Sequence, residues 1–117
     1  MAVLAQLTDD VVVHTFEITP PQMTIGRNPN CDIQITESSV SATHAIITQM
    51  PNRHFPQFME TYLQDQDSTN GTFVNEQPVI GRQRLHNNDV IRFAWHRFKF
   101  FDNLEAELEK TTHILQD

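Results

Sequence analysis

Short strand-like runs, each closed by a turn signal, recur along almost the whole chain, and this rhythm is what most limits its fold. They are VVVHTFEI from Val11, QMTIGR ending at Arg27, DIQI from Asp32, THAIIT from Thr43 and QFMETYL from Gln57. After a polar stretch, DQDSTNG, come TFVN, PVI, RQRL, DVIRFAW and RFKFFD. β-Branched and aromatic residues are frequent in these runs and fit a pleated, half-buried surface. Between them stand Pro20-Pro21, Asn28-Pro29-Asn30, Pro51-Asn52, Asn70-Gly71, Gly81 and Asn87-Asn88-Asp89, which supply the fixed or positive φ that turns require. Many short strands at such spacing predict an all-β sandwich or barrel. The pattern changes after Asp102, where NLEAELEKTTHIL is rich in helix formers and Asp102 with Glu105 has the spacing of an aspartate capping box. The expected organisation is an N-terminal extension over 1–10, one β domain over 11–102, and a short C-terminal helix or tail over 103–117.

Bulk properties narrow the function. A chain of 117 residues can bury a real core without staples. No apolar run approaches the roughly 20 residues needed to span a bilayer. MAVLAQLTDD lacks the basic start and long apolar stretch of a signal peptide, and the single cysteine, Cys31, leaves no internal disulfide. The expected address is the cytoplasm, with no membrane partner. Net charge is -7, from 8 Lys and Arg against 15 Asp and Glu, which argues against generic nucleic-acid binding. It leaves room for one phosphate group held in a local pocket.

Signals of catalysis are absent. The histidines His14, His44, His54, His86, His96 and His113 are scattered, without the i, i+4 spacing or cysteine partners of a zinc site, so no metal is expected. Cys31 lies in NPNCDIQI without an activating motif and reads as a buried, inert thiol. There is no Walker-type phosphate loop, no G-x-S-x-G elbow and no obvious acid pair. The chain reads as a binder with no cofactor, not an enzyme.

Three polar clusters remain, each at a strand end. Gly26-Arg27 closes a strand in IGRNPNCDI, Ser41 and His44 form S-x-x-H in SSVSATHAII, and Ser68-Thr69-Asn70-Gly71 precedes TFVN. Loops at one end of a β domain can converge on one rim. An arginine fork with several hydroxyls and an amide suits a phosphate dianion, because Arg gives charge-assisted, often bidentate bonds and hydroxyls donate at adjustable angles.

The ordered set G-R, S-x-x-H and S-T-N-G with a following V-N resembles the signature of the forkhead-associated (FHA) domain, and the match runs from about Val11 to Asp102. The resemblance implies a β-sandwich of about eleven short strands whose loops at one end bind phosphothreonine peptides. By the same resemblance Arg27 is the phosphate-binding arginine, Ser41 a hydroxyl donor, Thr69 the loop threonine near the phosphate, and Asn70 the holder of the ligand's main chain. Gly26, His44 and Gly71 match loop-shaping positions, and Asn75 matches the structural asparagine after the loop. One departure stands out: the residue after the serine, often Arg, Lys or Asn in the family, is Ala42 here.

Two functions follow as expectations. The first is a phosphothreonine-dependent interaction module in Ser/Thr-kinase signalling, whose partners include a kinase or its substrate. The alternative is a phospho-independent scaffold with a weakened pocket, using a sheet face or the loop over 51–58, where Phe55, Phe58 and Arg53 stand. Trp95, Phe98, Phe100 and Phe101 are expected in the core, and Asp32 and Asp67 in turns or caps. Thr111 and Thr112, followed three residues later by Ile114 and Leu115, suggest phosphorylation-dependent self-association.

Overall fold

A computed structural model describes residues 2–19 and 21–102 of the chain. The chain forms eleven strands: β1 (Ala2–Thr8), β2 (Val11–Glu17), β3 (Gln22–Gly26), β4 (Ile33–Gln34), β5 (Ala45–Pro51), β6 (Met59–Asp65), β7 (Thr72–Val74), β8 (Gln77–Pro78), β9 (Arg82–Arg84), β10 (Val90–Phe93) and β11 (His96–Asp102). Six make one sheet in the order β2-β1-β11-β10-β7-β8, and five make the other, β4-β3-β5-β6-β9. All the strand pairs are antiparallel except β3 with β4, where Ile25 faces Ile33 in parallel register. There is no helix among the described residues, and so none long and apolar enough to cross a membrane. The C-terminal helix expected over 103–117 lies outside the described residues.

Alternation along each strand builds the core. Phe98 and Phe100 of β11 point inward with Ile91 and Phe93 of β10 and Leu4 of β1. They meet Ile25, Ile33, Ile47 and Leu63 of the other sheet, all buried, and Val40 and Leu85 from loops close the layer. Each large apolar side chain taken fully from water contributes about 1.5 to 3 kcal/mol, so this interdigitated layer is the main source of stability.

The structure departs from the sequence expectation at four places. Residues 2–8 are not an extension: β1 lies inside the six-stranded sheet, paired with β11 from Ala2↔Asp102 to Leu7↔Arg97 and with β2 on its other side. Trp95 is not core; it stands in the two-residue turn between Phe93 and His96 and is 66% exposed. Phe101 is only half-buried, because the pleat that turns Phe98 and Phe100 inward turns it outward. Cys31, expected to be buried, is half-buried, with its thiol donating to the Ala42 carbonyl at 3.4 Å.

Strand directions sort the loops into two ends. β3 and β6 finish, and β5, β7 and β11 begin, at one end, which also carries the β1–β2 and β10–β11 turns. The loop over 51–58 lies at the opposite end, since β5 and β6 pair as Pro51↔Met59 there and as Ala45↔Asp65 at the first.

Candidate functional site

The three polar clusters of the sequence meet at the first end. β3 delivers Arg27, and its register continues into the loop before β5 through three backbone bonds: Arg27 N–H to Ser41 O (3.0 Å), Asn28 N–H to Ala42 O (3.1 Å) and His44 N–H to Ile25 O (2.8 Å). This close approach explains Gly26. A Cβ there would lie 2.3 Å from the Ala42 carbonyl oxygen, a backbone atom that cannot swing away.

His44 is fully buried and joins two loops. Its Nδ1 accepts from the Ser41 N–H at 3.1 Å, and its Nε2 lies 2.8 Å from the Gly71 carbonyl oxygen. A carbonyl can only accept, so the proton sits on Nε2 and the ring is a fixed strut between the two loops. Its edge meets Phe93 with ring centroids 5.9 Å apart, which ties the strut to the core.

The second loop is shaped by Asp65 at the end of β6. One carboxylate oxygen accepts from the Ser68 N–H (3.1 Å), and the other accepts the hydroxyls of Ser68 and Thr72 (2.6 Å for Thr72). Ser68 Oγ in turn accepts from the Gly71 N–H at 3.0 Å. Burial alone pushes the Asp65 carboxyl up, but the bonds from Ser68 and Thr72 outweigh it, and it is held below its ordinary value. Gly71 adopts φ +87 within this knot, which explains why a glycine stands there. Asp67 also has positive φ, in keeping with the turn role expected for it; Asp32 instead ties its loop back to β3, eight residues earlier, accepting from the Thr24 N–H at 2.8 Å.

The two loops are laced together. Ser41 Oγ accepts from the Thr69 N–H at 3.1 Å, and the Asn70 side-chain amide donates to Ser39 O at 2.7 Å. Both bonds aim the remaining atoms outward. The Ser41 hydroxyl keeps its proton to donate, and the Asn70 Oδ1 has no partner among the described residues and can accept from a ligand's backbone N–H. The result is an open pocket of about 250 Å³ lined by Arg27, Ser38, Ser39, Val40, Ser41, Ala42, Thr69 and Asn70.

Its electrostatics set it apart from a chain of charge -7: the lining holds one cation and no carboxylate. Arg84, Arg92 and Arg97 each face a carboxylate at 3.8, 3.0 and 2.9 Å, whereas the exposed Arg27 guanidinium has no such partner among the described residues. Among these residues no three His, Cys, Asp or Glu side chains converge closely enough to hold a metal ion.

Arg27, Ser41, Thr69 and Asn70 thus line one pocket, with Gly26, His44 and Gly71 directly behind it. Asn75 is elsewhere. Its N–H, carboxamide oxygen and amide bond Val90 O, Val90 N–H and Asp89, bracing the β7–β8 turn against β10 at the opposite end. Sequence reasoning missed Ser38 and Ser39 on the pocket wall, although ESSVSATH displays them just before the S-x-x-H pair. It also missed Asp65, whose D-x-x-S spacing to Ser68 is the local sign of a side chain closing its own turn.

The family model described as FHA domain matches residues 23–94, which run from β3 through β10 and include all three clusters. The chain belongs to the FHA domain family, a family of phosphothreonine-peptide-binding interaction modules. Solved structures agree. The chain is similar to an FHA domain from a structural and functional analysis of phosphothreonine-dependent FHA domain interactions, with 26% identity, TM-score 0.72, and coverage of 87% of this chain and 96% of that one. It is similar to the FhaA FHA domain, solved with the intracellular domain of Rv3910, at 27% identity, TM-score 0.71, and 86% and 99% coverage. The MEK1 FHA domain, solved with a HOP1 phosphothreonine peptide, shares the fold at 24% identity and TM-score 0.72, with 87% and 96% coverage. No curated protein sequence matches the chain.

Proposed function

We propose that this chain is a phosphothreonine-dependent protein-interaction module that reads phosphorylated partners in Ser/Thr-kinase signalling in the cytoplasm. The observation that carries this reading is an Arg27 guanidinium with no carboxylate partner among the described residues, in a hydroxyl-lined pocket on a strongly acidic chain. A phosphothreonine brings about -1.5 to -2 charge and three acceptor oxygens. Arg27 neutralises and forks two of them, Ser41 and Thr69 donate hydroxyls, and Asn70 holds the peptide backbone beside the phosphothreonine. The laced loops present these groups preorganised, so little ordering cost remains for binding. Recognition involves no bond making, and no proton needs to move.

One observation favours the alternative of a phospho-independent scaffold. Ala42 is exposed on the pocket wall and offers only a methyl group. An oriented phosphothreonine library presented to the domain, with and without phosphatase treatment, separates the readings. Retention lost on dephosphorylation supports the module; equal retention supports the scaffold.

A further inference from the structure

A larger recess of about 490 Å³ lies at the same end of the sandwich, between the β1–β2 and β10–β11 turns. Leu7, Asp9, Asp10, Trp95, His96 and Arg97 line it. It is joined to the phosphate pocket by backbone: the Ala94 N–H donates to Gly71 O at 3.0 Å, next to the pocket-lining Asn70 on one side and the recess-lining Trp95 on the other. Ala94 is buried, with φ 54, so the turn that presents Trp95 is anchored to the phosphate loop.

The recess has a definite chemistry. Trp95 exposes an aromatic face beside two carboxylates on Asp9 and Asp10. Arg97 pairs with Asp10 at 2.9 Å, whereas Asp9 has no partner among the described residues. Two carboxylates against one guanidinium leave a net negative charge next to an indole, an arrangement suited to a cation through ion pairing and cation–π attraction. Exposed Val11 and Val12 continue the surface along β2. Thus the pocket and the recess offer opposite charges on one continuous rim.

We propose that this recess is a second subsite for the phosphorylated partner, taking a lysine or arginine from the segment that flanks its phosphothreonine. The proposal rests on the phosphothreonine reading of the pocket. β7, β10, β11 and β1 are successive neighbours in the sheet. At about 4.8 Å per strand the recess is roughly 10 to 14 Å from Asn70, a distance that about four extended residues cover at ~3.3 Å each. The preferred partner therefore carries a phosphothreonine with a basic residue about four positions away, and the two charges dock on the two charged sites.

The test uses fluorescein-labelled peptides with one central phosphothreonine in a Gly, Ala and Ser background, and a single lysine walked through positions three to seven on either side. Fluorescence anisotropy at low salt should show one or two adjacent positions where lysine tightens binding about 3- to 10-fold. Asp9→Asn with Trp95→Ala should erase that gain and leave the lysine-free peptide's affinity unchanged. A flat lysine scan with peptides that do bind through their phosphate overturns the subsite alone. A gain that leucine gives equally, insensitive to Asp9→Asn, overturns the cation assignment. If phosphorylated and plain peptides bind alike, the pocket reading fails and the subsite falls with it.

Discussion

His44→Phe separates what the strut does from what its volume does. Phenylalanine keeps an aromatic ring against Phe93 but removes both polar contacts, at 3.1 Å to the Ser41 N–H and 2.8 Å to the Gly71 carbonyl. The two losses differ. Gly71 O still accepts from the Ala94 N–H, so it loses one net bond, about 1 kcal/mol. The Ser41 N–H has no other acceptor among the described residues and suffers the desolvation of an orphaned donor, about 1 to 3 kcal/mol. The sum, about 2 to 4 kcal/mol, is a large part of the roughly 5 to 15 kcal/mol that such a domain has. Urea unfolding should show that loss through a lower midpoint at unchanged slope. Ser41 and Thr69 would also lose their fixed spacing, so phosphopeptide affinity should fall at least tenfold under conditions where the variant remains folded. Wild-type stability and affinity in His44→Phe would refute the strut argument.

Three further outcomes follow from the same geometry. Ala42→Arg adds a donor at the pocket wall and should tighten phosphothreonine binding by about tenfold, near 1.4 kcal/mol, with a steeper salt dependence in anisotropy titrations. No change would mean that Ser38 or Ser39 already fills the role. Asp65 has a depressed folded-state carboxyl, so its contribution is complete above its unfolded value of about 3.9 and is lost as pH falls through the lower folded value. Thermal melts should therefore weaken below about pH 4, and Asp65→Asn should lower stability at pH 7 by about 1 to 3 kcal/mol while flattening that acid limb. A synthetic peptide covering 105–117, phosphorylated at Thr111 or Thr112, should bind the domain in an Arg27-dependent way; equal binding of the unmodified peptide ends the self-association idea.

The sheet rhythm was legible because strands buried on one face show period-2 alternation, as in HRFKFFD, where Phe98 and Phe100 face in and Arg97 and Lys99 face out. The pocket was legible because Arg27, Ser41, Thr69 and Asn70, which line it, sit at strand ends in polar clusters rich in turn-forming residues. β1 escaped because its closing turn is Asp9-Asp10. Both residues have positive φ, the geometry of a type I′ turn, but neither is the glycine or asparagine that usually marks one. Trp95 was misplaced for the same reason: Ala94 turns the chain at φ 54, and nothing in DVIRFAW signals a break. The role of Asn75 is tertiary. Only the approach of β10 reveals that its side chain bonds Val90 rather than the loops.

On the proposed function, Arg27 and its neighbouring hydroxyls read a phosphate. The most direct measurement is a paired titration of one threonine peptide and its phosphothreonine form, selected from the library, against wild type and Arg27→Ala. The phosphorylated form should bind wild type at least tenfold more tightly than the plain form, and Arg27→Ala should lose that difference while melting at the wild-type temperature. Equal affinities of the two peptides for wild type, or a phosphate preference that survives in Arg27→Ala, would contradict it.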